Sequence, residues 1–207
     1  MYCNDKACIK ISDTEVTDNF EINQGVKQGC ILSPLLFNIY MSDFPRLIDT
    51  ADFNETNTEA CYPSCLLWAD DVVLLSKNEE HLKKMLTITE SYCKENELTL
   101  NIEKTQCMIF NKSSRFIRKT FTFNKTKLET VRSYKYLGFI ITPSGEILTG
   151  LKDLRDRGMK AFYKLKRSMG ESFHQNITLT KELINNLIRP ILLFASDFWG
   201  CRKLPKK

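Results

Sequence analysis

The adjacent carboxylates of Asp70 and Asp71 are the groups in this sequence best placed to do chemistry. They interrupt residues 65–76, which are otherwise almost entirely apolar, and this pattern predicts a strand, a tight turn and a second strand. Burying ionised carboxylates beside such strands is costly unless a cation compensates, and no Lys or Arg occurs between Arg46 and Lys77. Carboxylate oxygens suit Mg²⁺ or Mn²⁺, so the pattern favours a metal-binding hairpin over an exposed acidic turn.

The residues before this pair predict a hairpin, a loop and a helix. Apolar residues alternate with polar ones over residues 7–24, which is typical of a two-stranded hairpin. A loop with two glycines follows over residues 25–30. Ser33 then supplies a helix N-cap and Pro34 the first helical position, and the apolar spacing predicts a helix that continues to about Ile48.

The residues after the pair predict a helix and further strands. A polar connection over residues 49–64 leads into the hairpin, and Asn78 begins a helix whose first turn carries Glu79 and Glu80, where the helix dipole favours acids. The predicted buried stripe of this helix comprises Leu82, Met85, Leu86, Ile88 or Thr89, and Tyr92 or Cys93. Strands are predicted at residues 106–110, 121–123 and 134–142.

The character of the sequence changes near residue 145. Leucines and aromatic residues then recur at helical spacing, and a second helix over residues 179–198 is interrupted or kinked at Pro190. This change predicts an α+β domain over residues 1–145 and an all-helical domain over residues 146–207.

Length and composition bound the class of protein. A chain of 207 residues, 43% hydrophobic and 27% charged, holds one domain or one and a half and can bury a core. No stretch has the apolar length of a membrane span, and the N-terminus lacks the apolar run of a secretory signal. The eight cysteines have no disulfide-framework spacing, and Cys61 and Cys65 lack a downstream pair for a zinc site. We therefore expect a reducing, intracellular location.

The net charge of +5 is divided unevenly along the chain. Residues 1–110 carry 9 Lys and Arg against 18 Asp and Glu, hence −9, whereas residues 111–207 carry 21 against 7, hence +14. An acidic half followed by a strongly basic half indicates that a polyanion lies across the second half. The alternative is a solvated helix surface with a bias toward lysine.

Four motifs, occurring in order, carry a family resemblance. The first is Gly-Val-Lys-Gln-Gly-Cys-Ile-Leu-Ser-Pro-Leu-Leu-Phe-Asn at residues 25–38, and the second is Ala-Asp-Asp at 69–71. Leu-Asn followed by Lys-Thr at 100–105 and Tyr-Leu-Gly at 136–138 complete the set. Together they closely resemble the palm of a reverse transcriptase of a non-LTR, LINE-type retrotransposon, over about residues 7–200. The resemblance implies an α+β fold, with a polymerase palm (an antiparallel sheet backed by helices) followed by a helical, thumb-like segment.

The resemblance implies roles for particular residues. Asp70 matches the carboxylate that ligates the catalytic metals, Asp71 matches its neighbour, and Lys104 matches the lysine beside the triphosphate, where an ammonium neutralises or protonates the leaving pyrophosphate. The loop and helix before them match the part of the palm that borders the incoming nucleotide and template, through Gln28, Gly29, Ser33, Pro34 and Phe37. The segment that grips the primer end is matched by Tyr136, Leu137 and Gly138.

Simpler interpretations stay open for each of these matches. Gln28 and Gly29 also fit an ordinary loop that leads into a helix, Lys104 a surface lysine after a turn, and Tyr136 a core tyrosine of a hairpin. The order and spacing of the motifs, rather than any single residue, favour the assignments.

A mechanism and a set of partners follow from the same resemblance. The mechanism is two-metal nucleotidyl transfer, in which one Mg²⁺ or Mn²⁺ ion activates the primer 3′-hydroxyl and the other stabilises the pyrophosphate leaving group. The implied partners are an RNA template, a DNA primer and dNTPs, with no membrane and no small-molecule cofactor. The implied location is the cytoplasm and nucleus, not the secretory route. Basic residues that would track duplex phosphates without reading sequence are Lys152, Arg155, Arg157, Lys160, Lys164, Lys166 and Arg167.

Two departures from the family pattern matter. Trp68 stands where the family usually has Phe or Tyr, and it adds volume that a tight hairpin resists. The family also has an essential metal-binding aspartate on a strand upstream of the segment that opens this chain, and fingers before it. We therefore expect a fragment, most of a palm plus a thumb, that lacks primer-extension activity in isolation.

Other interpretations of the sequence belong to different functional classes. A decayed element would be catalytically dead and act at most as a basic nucleic-acid-binding module. A reverse transcriptase like a group II intron maturase has similar motifs. A viral RNA-dependent RNA polymerase fits less well, because its hairpin usually carries Gly-Asp-Asp.

Overall fold

The computed structural model describes residues 6–22, 25–50, 63–111 and 116–200. It combines helices with small sheets, so the expected α+β class is confirmed. The chain divides into two compact units, Met1–Thr99 (unit 1) and Leu100–Lys207 (unit 2).

Unit 1 begins with the predicted hairpin. Strands β1 (Lys6–Ala7) and β2 (Phe20–Glu21) pair antiparallel, and a bridge between Lys10 and Val16 continues the pairing toward the turn. The apolar residues that predicted this hairpin do not build a core, since Ile9 is 60% exposed and the others are exposed as well.

Two short helices replace the single helix predicted to reach Ile48. Helix α1 (Ser33–Tyr40) ends at a turn, and helix α2 (Phe44–Asp49) then begins with Pro45 in its first turn. Proline lacks the backbone N–H that a continuous helix would need there, and its ring clashes with the carbonyl four residues earlier. Most of the predicted polar connection after α2 lies outside the described residues.

The core of unit 1 lies between these helices, a hairpin and a long helix. Strands β3 (Cys65–Trp68) and β4 (Asp71–Leu74) pair antiparallel, as predicted. Helix α3 (Glu79–Glu95) is capped by Asn78, whose side chain accepts a hydrogen bond from the His81 backbone N–H at 2.8 Å. The buried residues of this core are Met41, Phe44, Ile48, Met85 and Tyr92, so the predicted stripe of α3 is confirmed at its centre.

Five short strands open the described part of unit 2. Strand β5 (Gln106–Cys107), shorter than predicted, pairs parallel with β7 (Thr126–Thr130), and β6 (Phe121–Phe123) pairs antiparallel with β7. Strand β7 was not predicted from the sequence, and it follows a two-residue turn at Asn124 and Lys125 where both φ angles are positive. The last two strands, β8 (Tyr134–Tyr136) and β9 (Phe139–Ile141), form a separate hairpin.

Helices complete unit 2. Helix α4 (Leu148–Met169) is followed by α5 (Ser172–Gln175), α6 (Ile177–Leu183), a π-helical turn (Ile184–Ile188), α7 (Arg189–Leu192) and α8 (Ser196–Trp199). The predicted interruption at Pro190 is confirmed, because the π-helical turn directly precedes the residue pair that starts α7. Pro190 has no backbone N–H to donate, and the wider π-helical turn before it relieves the clash of its ring with the preceding turn.

The β8–β9 hairpin and α4 share one core within unit 2. Phe139 is buried with Ile147 and Leu154. Helix α4 carries Gly150 where the Phe139 ring lies, and a Cβ there would overlap that ring. The boundary between the compact units therefore differs from the predicted domain boundary: strands β5–β9 belong to the same unit as the helices, although the change from strands to helices falls near residue 145. The assignment of separate functions to residues 1–145 and 146–207 stays a prediction.

Candidate active site and nucleic-acid interface

The β3–β4 hairpin carries Asp70 and Asp71 at its tip. Trp68 pairs with Asp71 across the hairpin, so Ala69 and Asp70 form a two-residue turn. Ala69 has a φ of +52°, the left-handed conformation that tight hairpin turns use. One face of the hairpin is anchored, since four of its side chains pack on the core of unit 1: Cys65, Leu67, Val72 and Leu74.

Both carboxylates are exposed, which corrects the burial that the apolar flanks suggested. Among the described residues neither Asp70 nor Asp71 has an ion-pair partner for its carboxylate. Desolvation therefore does not demand a cation here. The pair nevertheless fits a divalent ion, because its hard oxygen donors are uncommitted and held on a short turn. In the described part of the chain no three or more His, Cys, Asp or Glu side chains are placed so that they could hold a metal ion together, so a complete site needs further ligands.

Trp68 does not crowd the hairpin. Its side chain lies on the outer face, and the residue is 65% exposed. The expected conflict between the indole and the tight turn is therefore wrong, because the added volume extends into solvent rather than into a packed interior.

The loop before α1 is held by Ser33. Its Oγ donates a hydrogen bond of 2.6 Å to the Lys27 carbonyl oxygen, so Ser33 closes the loop instead of capping the helix as predicted. Gln28 and Gly29 lie exposed inside this closed loop, and Gly29 has a φ of +80° with open space where a Cβ would be. Glycine is thus required there by backbone conformation rather than by crowding.

Pro34 and Phe37 lie on α1 and face different surroundings. Pro34 is exposed in the first turn of the helix. Phe37 is partly buried and packs on the same core as Leu67 and Val72 of the acidic hairpin. The structure therefore joins α1 and the hairpin through a shared core, and Phe37 contributes to that packing.

Lys104 lies in unit 2, on a turn just before β5. The Asn101 side chain accepts a hydrogen bond from the Lys104 backbone N–H at 3.1 Å, and the Asn101 carbonyl accepts one from the Thr105 hydroxyl at 2.8 Å. These bonds define the turn, and the Lys104 side chain is exposed on it.

The Tyr136–Leu137–Gly138 segment is the turn of the β8–β9 hairpin. Tyr136 pairs with Phe139, and the two residues between them have φ angles of +45° at Leu137 and +86° at Gly138. A Cβ at Gly138 would lie 3.2 Å from the Phe194 ring, so both conformation and packing favour glycine.

Arg157 is the one residue of the predicted phosphate-contacting set on α4 that points toward this turn. Its Nη2 donates a hydrogen bond of 2.8 Å to the Gly138 carbonyl oxygen. Its Nε lies 2.8 Å from Asp153 Oδ2, and Lys135 Nζ lies 4.0 Å from the same oxygen. Neither Asp153 nor Lys135 was among the residues predicted from the sequence. The sequence signal that could have found Asp153 was its i,i+4 spacing to Arg157, since residues four apart on a helix are neighbours and opposite charges there pair.

The other predicted cations of α4 are exposed. Arg155 pairs with the neighbouring Asp156, with Nη2 and Oδ1 2.8 Å apart, and exposed pairs of this kind contribute little to stability. The remaining exposed side chains of this set, called here the α4 basic face, are Lys152, Lys160, Lys164, Lys166 and Arg167. The β3–β4 hairpin and the loop before α1 thus lie in unit 1. The turn that carries Lys104, the Tyr136–Leu137–Gly138 turn and α4 lie in unit 2.

Burial controls the thiols near these sites. Desolvation raises the pKa of Cys65 to about 11, with a smaller contribution from the negative charge of Asp49. Burial alone raises the pKa of Cys107 to about 11. Both thiols are therefore protonated at neutral pH. Within the described ranges, no helix combines the length and apolar composition needed to cross a bilayer.

Comparison with known proteins gives matches along most of the chain. Residues 2–141 match the family "Reverse transcriptase (RNA-dependent DNA polymerase)". The chain is 29% identical over 136 residues to the "Retrovirus-related Pol polyprotein from type-1 retrotransposable element R2" of Popillia japonica, which covers 62% of the chain and 22% of that relative. It is 24% identical over 197 residues to the "Putative 115 kDa protein in type-1 retrotransposable element R1DM" of Drosophila melanogaster, which covers 91% of the chain and 18% of that relative. The chain thus spans about a fifth of the length of these relatives.

Proposed function

The chain belongs to the reverse transcriptase (RNA-dependent DNA polymerase) family of non-LTR retrotransposons, and we propose that it serves in template-directed transfer of dNTPs onto a primer 3′-hydroxyl. In this proposal residues 1–145 supply most of a palm and residues 146–207 a thumb-like segment. The substrates are an RNA template, a DNA primer and dNTPs, and the reaction is part of retrotransposition.

The observation that carries the proposal is the β3–β4 turn. It presents two adjacent, exposed carboxylates that have no cationic partner among the described residues, and it lies inside the part of the chain that matches the family. Like charges side by side repel each other, and a bound cation would relieve that repulsion. Asp70 and Asp71 would therefore hold Mg²⁺ or Mn²⁺, with Asp70 as the main ligand. When bound, such ions activate a hydroxyl nucleophile and stabilise a leaving pyrophosphate.

The closed loop before α1 would border the nucleotide. Ser33 fixes the loop by its bond to Lys27, so Gln28 presents an amide that both donates and accepts hydrogen bonds. Gly29 leaves room for close approach of a base or sugar. Phe37 packs on the core shared with the acidic hairpin, and Pro34 begins the helix that follows the loop, on the side that would border the nucleotide. The exposed ammonium of Lys104 would neutralise charge on the triphosphate.

Unit 2 would hold the template–primer duplex. The α4 basic face, together with Arg155, supplies exposed cations along one long helix, which suits contacts to phosphates without sequence readout. The turn of Tyr136, Leu137 and Gly138 would contact the primer terminus, as the family resemblance implies.

A second candidate function is nucleic-acid binding without catalysis. It is favoured by one observation, that no third metal-ligating side chain lies beside Asp70 and Asp71 among the described residues. In this case the α4 basic face would still bind duplex, but no part of the chain would distinguish the primer terminus.

Position-specific cross-linking separates the two functions. The 207-residue chain is bound to an RNA template annealed to a DNA primer that carries 4-thiothymidine either at the 3′ terminus or several nucleotides upstream. The complex is irradiated, and the cross-linked peptides are identified by mass spectrometry. We expect the terminal probe to label the peptide containing residues 136–138 and the upstream probe to label α4. Labelling that does not depend on probe position would favour binding without catalysis and contradict the polymerase assignment.

A further inference from the structure

Arg157 differs from the other cations of α4 in where its side chain lies. Only 33% of the side chain is exposed, and its guanidinium is turned toward the β8–β9 hairpin rather than toward solvent. The Gly138 carbonyl accepts one N–H of the guanidinium, and Asp153 Oδ2 lies 2.8 Å from Nε as an ion pair without hydrogen-bond alignment. A guanidinium bound to the hairpin backbone and neutralised by a carboxylate is poorly placed to contact phosphate as well.

The bond from Arg157 holds the turn between β8 and β9 against α4. Leu137 and Gly138 are the two unpaired positions between β8 and β9. The Phe194 ring rests on Gly138 from one side, and Arg157 binds the carbonyl of the same residue. Two contacts from the helical segment therefore hold this turn, one apolar and one charge-assisted.

Asp153 fixes the guanidinium in turn. It lies one helical turn before Arg157 on α4, and Lys135 of β8 approaches the same carboxylate. The network thus connects two residues of the hairpin, Lys135 and Gly138, through Asp153 and Arg157 of α4. Arginine suits this place because its rigid, planar guanidinium reaches the Gly138 carbonyl from one edge while another nitrogen lies beside the Asp153 carboxylate, and the single ammonium of lysine cannot occupy both places.

We infer that Arg157 is a positioning residue that locks the Tyr136–Leu137–Gly138 turn to α4. The inference rests on the proposed function, in which this turn contacts the primer terminus and α4 follows the duplex phosphates. Locking the two together fixes the primer 3′ end at one distance along the duplex from the basic face. Arg157 acts through the turn and does not itself contact nucleic acid.

The test compares two duplexes and two matched variants of the 207-residue chain. Affinity is measured for an RNA–DNA duplex with a recessed primer 3′ end and for a blunt duplex of the same length, over a series of salt concentrations. Arg157→Lys keeps the charge and removes the fork, and Arg118→Lys makes the same change at an exposed arginine of unit 2 outside the proposed duplex contacts. We expect wild type and R118K to prefer the recessed end, and R157K to lose about tenfold of that preference with its salt dependence unchanged.

Two outcomes would overturn the inference in different ways. If Arg157→Gln lowers the slope of log affinity against log salt by about 0.9, as Arg167→Gln should, while the end preference persists, then Arg157 contacts phosphate and the positioning role is wrong. If wild type itself binds both duplexes equally, the primer-terminus assignment of the turn fails, and the proposed function fails with it. Circular dichroism checks the fold of each variant. Asp153→Asn replaces R157K if that variant does not fold, because it removes the charge that orients the guanidinium while keeping Arg157, and it should lose part of the same preference.

Discussion

Trp68 lies directly opposite Asp71 across the β3–β4 hairpin. Residues that face each other in this way have Cβ atoms about 5 Å apart, so the exposed indole is a close neighbour of one of the two proposed metal ligands. The residue that departs from the family pattern is therefore an internal probe of the site.

Mn²⁺ should quench the fluorescence of Trp68 in a saturable manner. The chain has two tryptophans, and Trp199→Phe leaves Trp68 as the only one that is excited at wavelengths selective for tryptophan. A paramagnetic ion bound by Asp70 and Asp71 would lie close enough to the indole to quench it, and excess Mg²⁺ should reverse the effect by competition. Fluorescence titration at constant ionic strength measures both.

Carboxylate variants decide whether this quenching reports the proposed site. The double variant Asp70→Asn and Asp71→Asn should lose the saturable phase, whereas Asp18→Asn, which removes an exposed acid elsewhere in unit 1, should keep it. Quenching that rises linearly and equally in all three proteins would be collisional and would contradict metal binding at the hairpin tip.

Gly150→Ala should destabilise the chain although alanine favours helices. Helix propensity alone would gain about 1 kcal/mol, but the new Cβ would overlap the Phe139 ring, and overpacking of this kind costs about 1–3 kcal/mol. We expect a net loss of about 1 kcal/mol in the free energy of unfolding, measured by urea denaturation. Phe139→Leu added to G150A should restore part of that loss. A more stable G150A chain would show that the ring and helix are not in contact.

Unit 1 was largely predictable from sequence, because its elements are specified by neighbouring residues. The Asn78 cap acts on a backbone N–H only three residues away, and the strand–turn–strand pattern around Asp70 needs no distant partner. The break between α1 and α2 had a local signal in Pro45, which the apolar spacing concealed. The exposure of Asp70 and Asp71 was not predictable, because the apolar residues on either side indicate that the strands of the hairpin pack on a core. They do not indicate whether the turn between the strands is buried or exposed.

Unit 2 depends on contacts that no local pattern encodes. Arg157 and Gly138 are separated by 19 positions and meet only because the β8–β9 hairpin packs on α4. The parallel pairing of β5 with β7 likewise joins segments about twenty residues apart. The motifs of unit 2 were therefore predictable from the sequence, but the separate role of Arg157 among the exposed cations around it was not.

The thiols of Cys65 and Cys107 should react with iodoacetamide only at high pH. The pKa of each is raised from 9.0 to about 11, so their thiolate forms appear about two pH units later than for an ordinary cysteine. Because the folded pKa is the higher one, their contribution to stability is complete below pH 9 and is lost as the pH rises through 11. Labelling rates are measured by peptide mapping between pH 7 and 11, about two units on either side of the ordinary thiol pKa of 9.0. The exposed Cys8 is the internal reference. Labelling of all three at one rate at pH 8 (about one unit below the ordinary value) would contradict the burial of Cys65 and Cys107.

Duplex binding should be sensitive to salt and indifferent to sequence. Removing one cation that binds a phosphate should reduce the slope of log affinity against log salt by about 0.9, so Lys164→Gln and Arg167→Gln should each flatten it. Lys84→Gln, which removes an exposed charge of α3 in unit 1, is the matched control and should leave the slope unchanged. Equal affinity at low and moderate salt, or a strong preference between two unrelated duplex sequences, would exclude a phosphate-tracking α4.

The 207-residue chain should bind template–primer without extending it. Two-metal transfer needs several carboxylate or equivalent ligands, and beside Asp70 and Asp71 the described residues supply no third one. Primer extension is measured with Mg²⁺ and all four dNTPs on an RNA template, in the same preparation that shows saturable Mn²⁺ quenching and duplex binding. Those two readouts ensure that a negative result reflects missing ligands and not an unfolded chain. Robust extension that disappears in Asp70→Asn would contradict the prediction, and it would mean that the pair at the hairpin tip obtains its remaining ligands from the substrates or from residues outside the described ranges.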